Sequence, residues 1–240
     1  VVSHHMLELS VYEQYQPGHG GVCTQDVDEW ILASFASVAD VMAYLNKPIT
    51  ERLRIITDPL DRQPLTTYTW GIVDASGDAI VLEFVKGQLR IHNNTVGVLT
   101  NDPTWDWHVT NLNMYTALQS TWPDHNNEAI RVPVADSWYP WKSAPYTADG
   151  HPTVPATIGH GFNFLGLPGD GSAAARFVRV FYQRAYAMQA NAPATLEEAL
   201  ILGQELLNSV YKVLGTIPGR DSSDPLETTP VAVLAVPSSR

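Results

Sequence analysis

Residues 67–100 constrain the fold most, because they hold short apolar stretches broken at close intervals by turn chemistry. Tyr68, Trp70 and Ile72 fall on one face of an extended chain, and Asp74-Ala75-Ser76-Gly77-Asp78 supplies a turn. Residues 79–85 form a nearly continuous apolar run, as expected of a strand covered on both faces. Gly87 turns the chain again before Leu89 and Ile91, and residues 96–99 lead into a Thr100-Asn101-Asp102-Pro103 loop. The pattern predicts an antiparallel meander.

Helical signals flank it. Residues 1–15 read as a strand, followed by a loop at 17–21. Thr24 is placed to cap a helix with Asp26, Asp28 and Glu29 in its first turn and Val27, Ile31 and Phe35 on its apolar face. Ser37 and Asp40 open a second short helix through Val38, Met42 and Leu45, and Pro48 closes the segment. Pro103 and Thr104 open a helix to Leu118, residues 176–188 read as another, and Thr195-Leu196-Glu197-Glu198 is a capping box for a helix stopped by Gly215. Residues 119–161 are irregular, proline-rich and studded with tryptophans, as functional rims often are. A last strand is expected at 231–236. The order of elements is that of an α+β protein.

Composition narrows the function more by exclusion than by choice. With 25 acidic residues against 14 basic ones, the net charge of −11 argues against nucleic acid or an anionic membrane as partner. No apolar run approaches the length of a membrane span. The first twenty residues carry no leader pattern, but Val1 is no natural initiator, so a cytoplasmic and a periplasmic or secreted location both stay open. Cys23 is the single cysteine, which rules out an intrachain disulfide within these 240 residues.

Local chemical motifs are modest. His4 and His5 are adjacent, so on a strand they face opposite ways and cannot chelate one ion together. Gly169-Asp170-Gly171-Ser172 lacks the spacing and lysine of a phosphate loop, and Asn93-Asn94-Thr95 is a formal glycosylation triplet of a kind common by chance. Cys23, just before a helix start, is better read as a structural cysteine than as a nucleophile, because no histidine stands at an interpretable spacing. The tryptophans of 119–161 are compatible with an apolar substrate mouth and equally with packing of a long loop.

Several motifs taken in order say more than any one alone. Asp74, Gly77, Val81 and Glu83, then Val98-Leu99-Thr100-Asn101-Asp102-Pro103-Thr104 and Leu112-Asn113-Met114-Tyr115, form a first block. Gly166-Leu167-Pro168-Gly169-Asp170 with Arg176-Phe177-Val178-Arg179 form a second, and Leu214-Gly215-Thr216-Ile217 to Thr229 a third. Together they resemble the choloylglycine hydrolase family, which includes bile salt hydrolases and penicillin V acylases. The resemblance implies an N-terminal-nucleophile fold: α+β, a four-layer αββα sandwich of two antiparallel sheets between helices. It implies hydrolysis of linear non-peptide amides, with conjugated bile acids, penicillin V or N-acyl homoserine lactones as substrate types. It implies no cofactor, and as partners a small-molecule amide and a tetramer-like homo-oligomer.

The same resemblance assigns two residues. Asn101 matches the asparagine whose side chain stabilises the oxyanion, and Arg176 the arginine beside the nucleophilic cysteine. That cysteine, an early arginine, an aspartate and the Asn-Glu-x-Gly-Leu approach would lie upstream of Val1. Residues 1–240 are therefore expected to be one domain, incomplete at both ends and inactive alone. The competing readings are a non-catalytic relative acting as a small-molecule binding or scaffold protein, and an unrelated carbohydrate-binding module that uses its tryptophans.

Overall fold

The computed structural model describes residues 1–57, 67–118 and 164–213. The expectations for residues 119–161, for the third motif block and for a strand at 231–236 lie outside the described residues. The chain falls into two compact units, Val1–Tyr115 with Pro168–Arg240, and Thr116–Leu167. Of the second, the described part includes one turn, in which Leu167 N donates to Phe164 O. Everything below concerns the first.

Its centre is the expected meander. Strands β4 (Tyr68–Val73), β5 (Ala79–Val85) and β6 (Gln88–Asn93) run antiparallel, and β1 (Val2–Met6) pairs antiparallel with β4, giving the order β1-β4-β5-β6. The β5–β6 turn is the tight two-residue kind: Lys86 (φ 55°) and Gly87 (φ 76°) both take left-handed conformations. The β4–β5 turn is held by Asp74, whose Oδ1 accepts from Ser76 N and Oγ while Oδ2 accepts from Val38 N. Those hydrogen bonds, led by that of the Ser76 side chain, hold the Asp74 carboxyl below the usual range.

Alternation then sorts the sheet into two faces. Tyr68, Trp70, Ile72, Ile80, Leu82, Phe84, Leu89 and Ile91 share one face and pack in one cluster with helices α1 (Val27–Ser34) and α2 (Val38–Leu45). Ser37 caps α2 as expected, its Oγ accepting from Asp40 N. Tyr12 lies in the same cluster, and its hydroxyl hydrogen-bonds the backbone of Tyr68. Beside them is a two-stranded pair, β2 (Gly21–Cys23) with β3 (Arg54–Ile56), which is parallel because α1 and α2 form the crossover between its strands.

Helix α3 (Trp105–Asn111) follows the meander, and helices α4 (Ala173–Asn191) and α5 (Leu196–Asn208) follow the undescribed stretch. Ser172 caps α4, whose start at Ala173 lies three residues earlier than the sequence pattern placed it, and Thr195 makes the expected reciprocal box with Glu198 on α5. No helix among the described residues is long and apolar enough to cross a membrane.

Several local expectations are corrected. The first strand ends at Met6 and not near Tyr15, because Leu7 N bonds Thr67 O and Ser10 N folds back to Leu7 O. Thr24 does not cap α1. Residues Thr24–Asp26 form a separate 3-10 turn, and α1 starts at Val27. The helix opened at Thr104 tightens into a 3-10 turn at Leu112–Tyr115, and α5 stops at Asn208. The β2–β3 pair, three residues per strand, was too short to announce itself by periodicity.

Candidate active site

The second face of the sheet mixes polar side chains with valines, where the first is apolar. Register sets Ser3 of β1 opposite Gly71 of β4, and His5 opposite Thr69. A Cβ on Gly71 would come within 2.9 Å of the Leu99 side chain and 3.2 Å of Ser3 Oγ, so glycine lets the 98–101 segment lie close on this face. Glu83, also on this face of β5, is 1% exposed. Its Oε1 accepts from Trp105 N at 2.7 Å, capping α3 across the sheet where the Thr104 side chain does not. Trp105 in turn sits against His92, with ring centroids 5.3 Å apart.

Asn101 leaves this face at the end of β1. Its Nδ2 donates to Met6 O at 3.3 Å, and the neighbouring Asp102 accepts Glu8 N at 2.9 Å. From α4, Arg176 donates through Nη2 to Asn101 Oδ1 at 2.9 Å. The two residues singled out in the sequence, 75 positions apart, are thus in direct contact. The guanidinium can only donate, so this bond fixes the amide with its oxygen on the arginine and its NH2 turned away. One N–H goes to Met6; no described residue takes the other.

Arg176 is presented by a braced helix start. Asp170 accepts Ser172 N, Ser172 Oγ accepts Ala175 N, and Arg179 Nη1 donates to Pro168 O at 2.6 Å. The Gly-Asp-Gly-Ser stretch is therefore a helix cap strapped down by Arg179. The next residue after Arg176, Phe177, is 1% exposed and stacks on His108 of α3 at 4.7 Å and 13°.

Two histidines near this pair were given no role from the sequence. His5 is pushed down to about 4, by burial first and then by the charges of His4 and Arg176. His108 is also held below its ordinary value, chiefly by burial. Both are neutral at neutral pH, which leaves Arg176 as the local cation. The signal for His108 was readable: Trp105, His108 and Leu112 are a buried stripe at helical spacing, and a histidine inside such a stripe needs a polar partner. For His5 the adjacent pair concealed it. His4 turns to the oily face, bonding Asp28 at 2.6 Å against the Tyr68 ring, while His5 turns to the other.

Cys23 ends β2, in register with Ile56, and so belongs to the elements packed around α1 rather than to the Asn101–Arg176 contact. No three of the described His, Cys, Asp and Glu residues gather as metal ligands.

Comparison with known proteins decides the family. Residues 2–131 match the linear amide C–N hydrolases of the choloylglycine hydrolase type. The chain belongs to the choloylglycine hydrolase family. It is 35% identical over 188 residues to a bile salt hydrolase/transferase of Clostridium perfringens, covering 78% of this chain and 48% of that protein. A second bile salt hydrolase/transferase, from Lactiplantibacillus plantarum, is 31% identical over 72% of this chain and 45% of its own length. The chain thus spans about half the length of these curated relatives. In three dimensions, a cysteine-to-alanine variant of conjugated bile acid hydrolase from Clostridium perfringens covers 95% of this chain and 60% of its own, with 29% identity and a TM-score of 0.70. The α+β N-terminal-nucleophile fold expected from the motifs is the fold these hydrolases share.

In this choloylglycine hydrolase chain the depressed value of His5 has a consequence for stability. A histidine neutral in the fold but free to protonate when unfolded stabilises fully above its unfolded value of 6.5, and less as pH falls toward about 4. Allowing for partial exposure, the loss from His5 is about 2 kcal/mol across that window. In urea titrations at pH 7 and pH 4, His5→Asn should lose about that much less stability than wild type. Equal losses would show that His5 is not held neutral.

Proposed function

We propose that the protein carrying this chain hydrolyses linear, non-peptide amide C–N bonds with an N-terminal cysteine as nucleophile. The supporting observation is the Arg176–Asn101 hydrogen bond, which turns the amide NH2 outward and places a fixed cation beside it. In this reading the cysteine lies outside residues 1–240, and Cys23 is structural.

The cysteine's own α-amine is the base, since an α-amino group titrates at about 7.7–8.0, close to working pH. The sulfur attacks the amide carbonyl, a C–S bond forms, and the carbonyl electrons move onto oxygen. Asn101 Nδ2–H donates to that oxyanion. The C–N bond then breaks, the amine leaving with the proton held by the α-ammonium. Water attacks the thioester and releases the carboxylic acid and the free thiol. Arg176 acts before and during attack, its charge favouring the thiolate. The bile salt hydrolase relatives make conjugated bile acids the first substrates to assay, and the family's penicillin V acylases add penicillin V.

Arg176→Ala tests the electrostatic part. Without the cation the thiol pKa rises, so the acidic limb of the kcat/KM profile should move up by about one pH unit. An unmoved limb would remove Arg176 from the site. Full-length protein that hydrolyses neither substrate type, with a start that holds no cysteine, would favour the binding or scaffold reading instead.

A further inference from the structure

His108 is 1% exposed, and it bonds the backbone of Asn101 while its ring stacks on Phe177, the residue next to Arg176. Its Nε2 lies 2.9 Å from the main-chain oxygen of Asn101. A carbonyl can only accept, so the proton sits on Nε2 and the ring carries a bare Nδ1. That Nδ1 is buried with no hydrogen-bond partner among the described residues. The ring is stacked on Phe177, whose backbone continues directly from Arg176, and Trp107 meets it edge-on at 5.4 Å.

A leucine would fill most of this volume and carry no bare ring nitrogen, but it would leave the Asn101 carbonyl without this donor. The histidine instead carries an unsatisfied ring nitrogen, a burial that costs about 1–3 kcal/mol when uncompensated. What the histidine supplies that leucine cannot is the donor to Asn101. We propose that His108 is a positioning residue: by donating Nε2–H to the Asn101 carbonyl while resting on Phe177, it sets the distance between the Asn101 amide and the Arg176 guanidinium.

The proposal rests on the amidase reading above and adds to it. An oxyanion donor works only within a narrow range of about 2.7–3.1 Å, and Asn101 sits on a loop. Its side chain is held by Arg176 and Met6, and the loop on either side of it by the Asp102–Glu8 and Trp105–Val98 bonds. His108 adds the bond to Asn101's own carbonyl, through a rigid ring and not through a flexible chain.

The test uses the full-length protein. His108→Leu keeps bulk and removes the donor. His108→Gln keeps an N–H at about the reach of Nε2. The expected result is a fall in kcat of about tenfold to a hundredfold for His108→Leu, with KM within about twofold of wild type, and recovery of most of that loss in His108→Gln. Equal kcat in all three proteins, with the two variants merely lowered in Tm, would reduce His108 to core filling.

A second measurement does not depend on turnover or on a folded variant. Nitrogen NMR of histidine-labelled wild-type protein at neutral pH should show the His108 proton on Nε2. A proton on Nδ1 would overturn the proposal. If the wild-type protein hydrolyses no amide, the amidase reading fails by that result. The positioning claim is then judged by the tautomer and by the Asn101 side-chain amide signals, which should shift in His108→Leu and return in His108→Gln.

Discussion

Replacing Asn101 by alanine in the full-length protein is expected to lower turnover by about two to three orders of magnitude while leaving the fold intact. The size follows from what the side chain does. In the tetrahedral intermediate the former carbonyl oxygen carries a full negative charge, and one fixed donor in a site shielded from water is worth several kcal/mol there. The fold survives because the Asn101 side chain makes few structural bonds. One is a 3.3 Å contact to Met6 O, the other an acceptor bond from Arg176, which can be replaced by water at a half-buried position. KM should change little, since the ground-state carbonyl interacts more weakly than the oxyanion. A variant that turns over like wild type would remove Asn101 from the reaction.

The largest expected loss of stability lies elsewhere, at Arg52. Its guanidinium meets Glu13 through Nη2–Oε1 at 2.5 Å and Nη1–Oε2 at 3.1 Å, with side chains 6% and 2% exposed. Glu13 also accepts Ile55 N at 2.9 Å, and Arg52 Nη1 donates to Leu53 O at 3.0 Å. The pair therefore ties the strand β3 to the chain leaving β1. Arg52→Ala strands a buried carboxylate on one remaining donor and should cost about 3–5 kcal/mol in denaturant unfolding. Pairing Arg52→Met with Glu13→Leu should recover a large part, because no charge is then left buried. If the single variant loses under about 1 kcal/mol, water reaches Glu13 and the pair is a surface bridge in effect.

The legibility of this fold in its sequence follows the range of the forces involved. The meander was readable because its determinants are local: alternation in β4, a two-sided apolar run in β5, and Asp74, Gly77 and Gly87 at the turns. Ser37, Thr195 and the helices they cap were readable for the same reason. The short parallel pair was not, since three residues give no period and their partners lie 33 positions apart. Nor was the cap of α3, which comes from Glu83 on a neighbouring strand and not from Thr104. Inside the candidate site, Asn101 and Arg176 were named from ordered motifs; composition and spacing alone would have left them a turn asparagine and a helix-surface arginine. His108 was legible in principle from the Trp105–His108–Leu112 stripe. Its bond to the Asn101 backbone was not, because nothing in a linear string says which carbonyl a buried imidazole will meet.

The central claim, cysteine-dependent cleavage of a linear amide, is tested most directly by intact-mass measurement of the full-length protein during turnover. A glycine-conjugated bile acid and penicillin V are each mixed with enzyme and quenched in acid within the first turnovers. The expected result is a mass gain equal to the acyl group of one of them, mapped by peptide sequencing to the N-terminal cysteine and lost on longer incubation. An enzyme that releases product with no acyl group ever found on that cysteine, or one acylated on Cys23 instead, would contradict it.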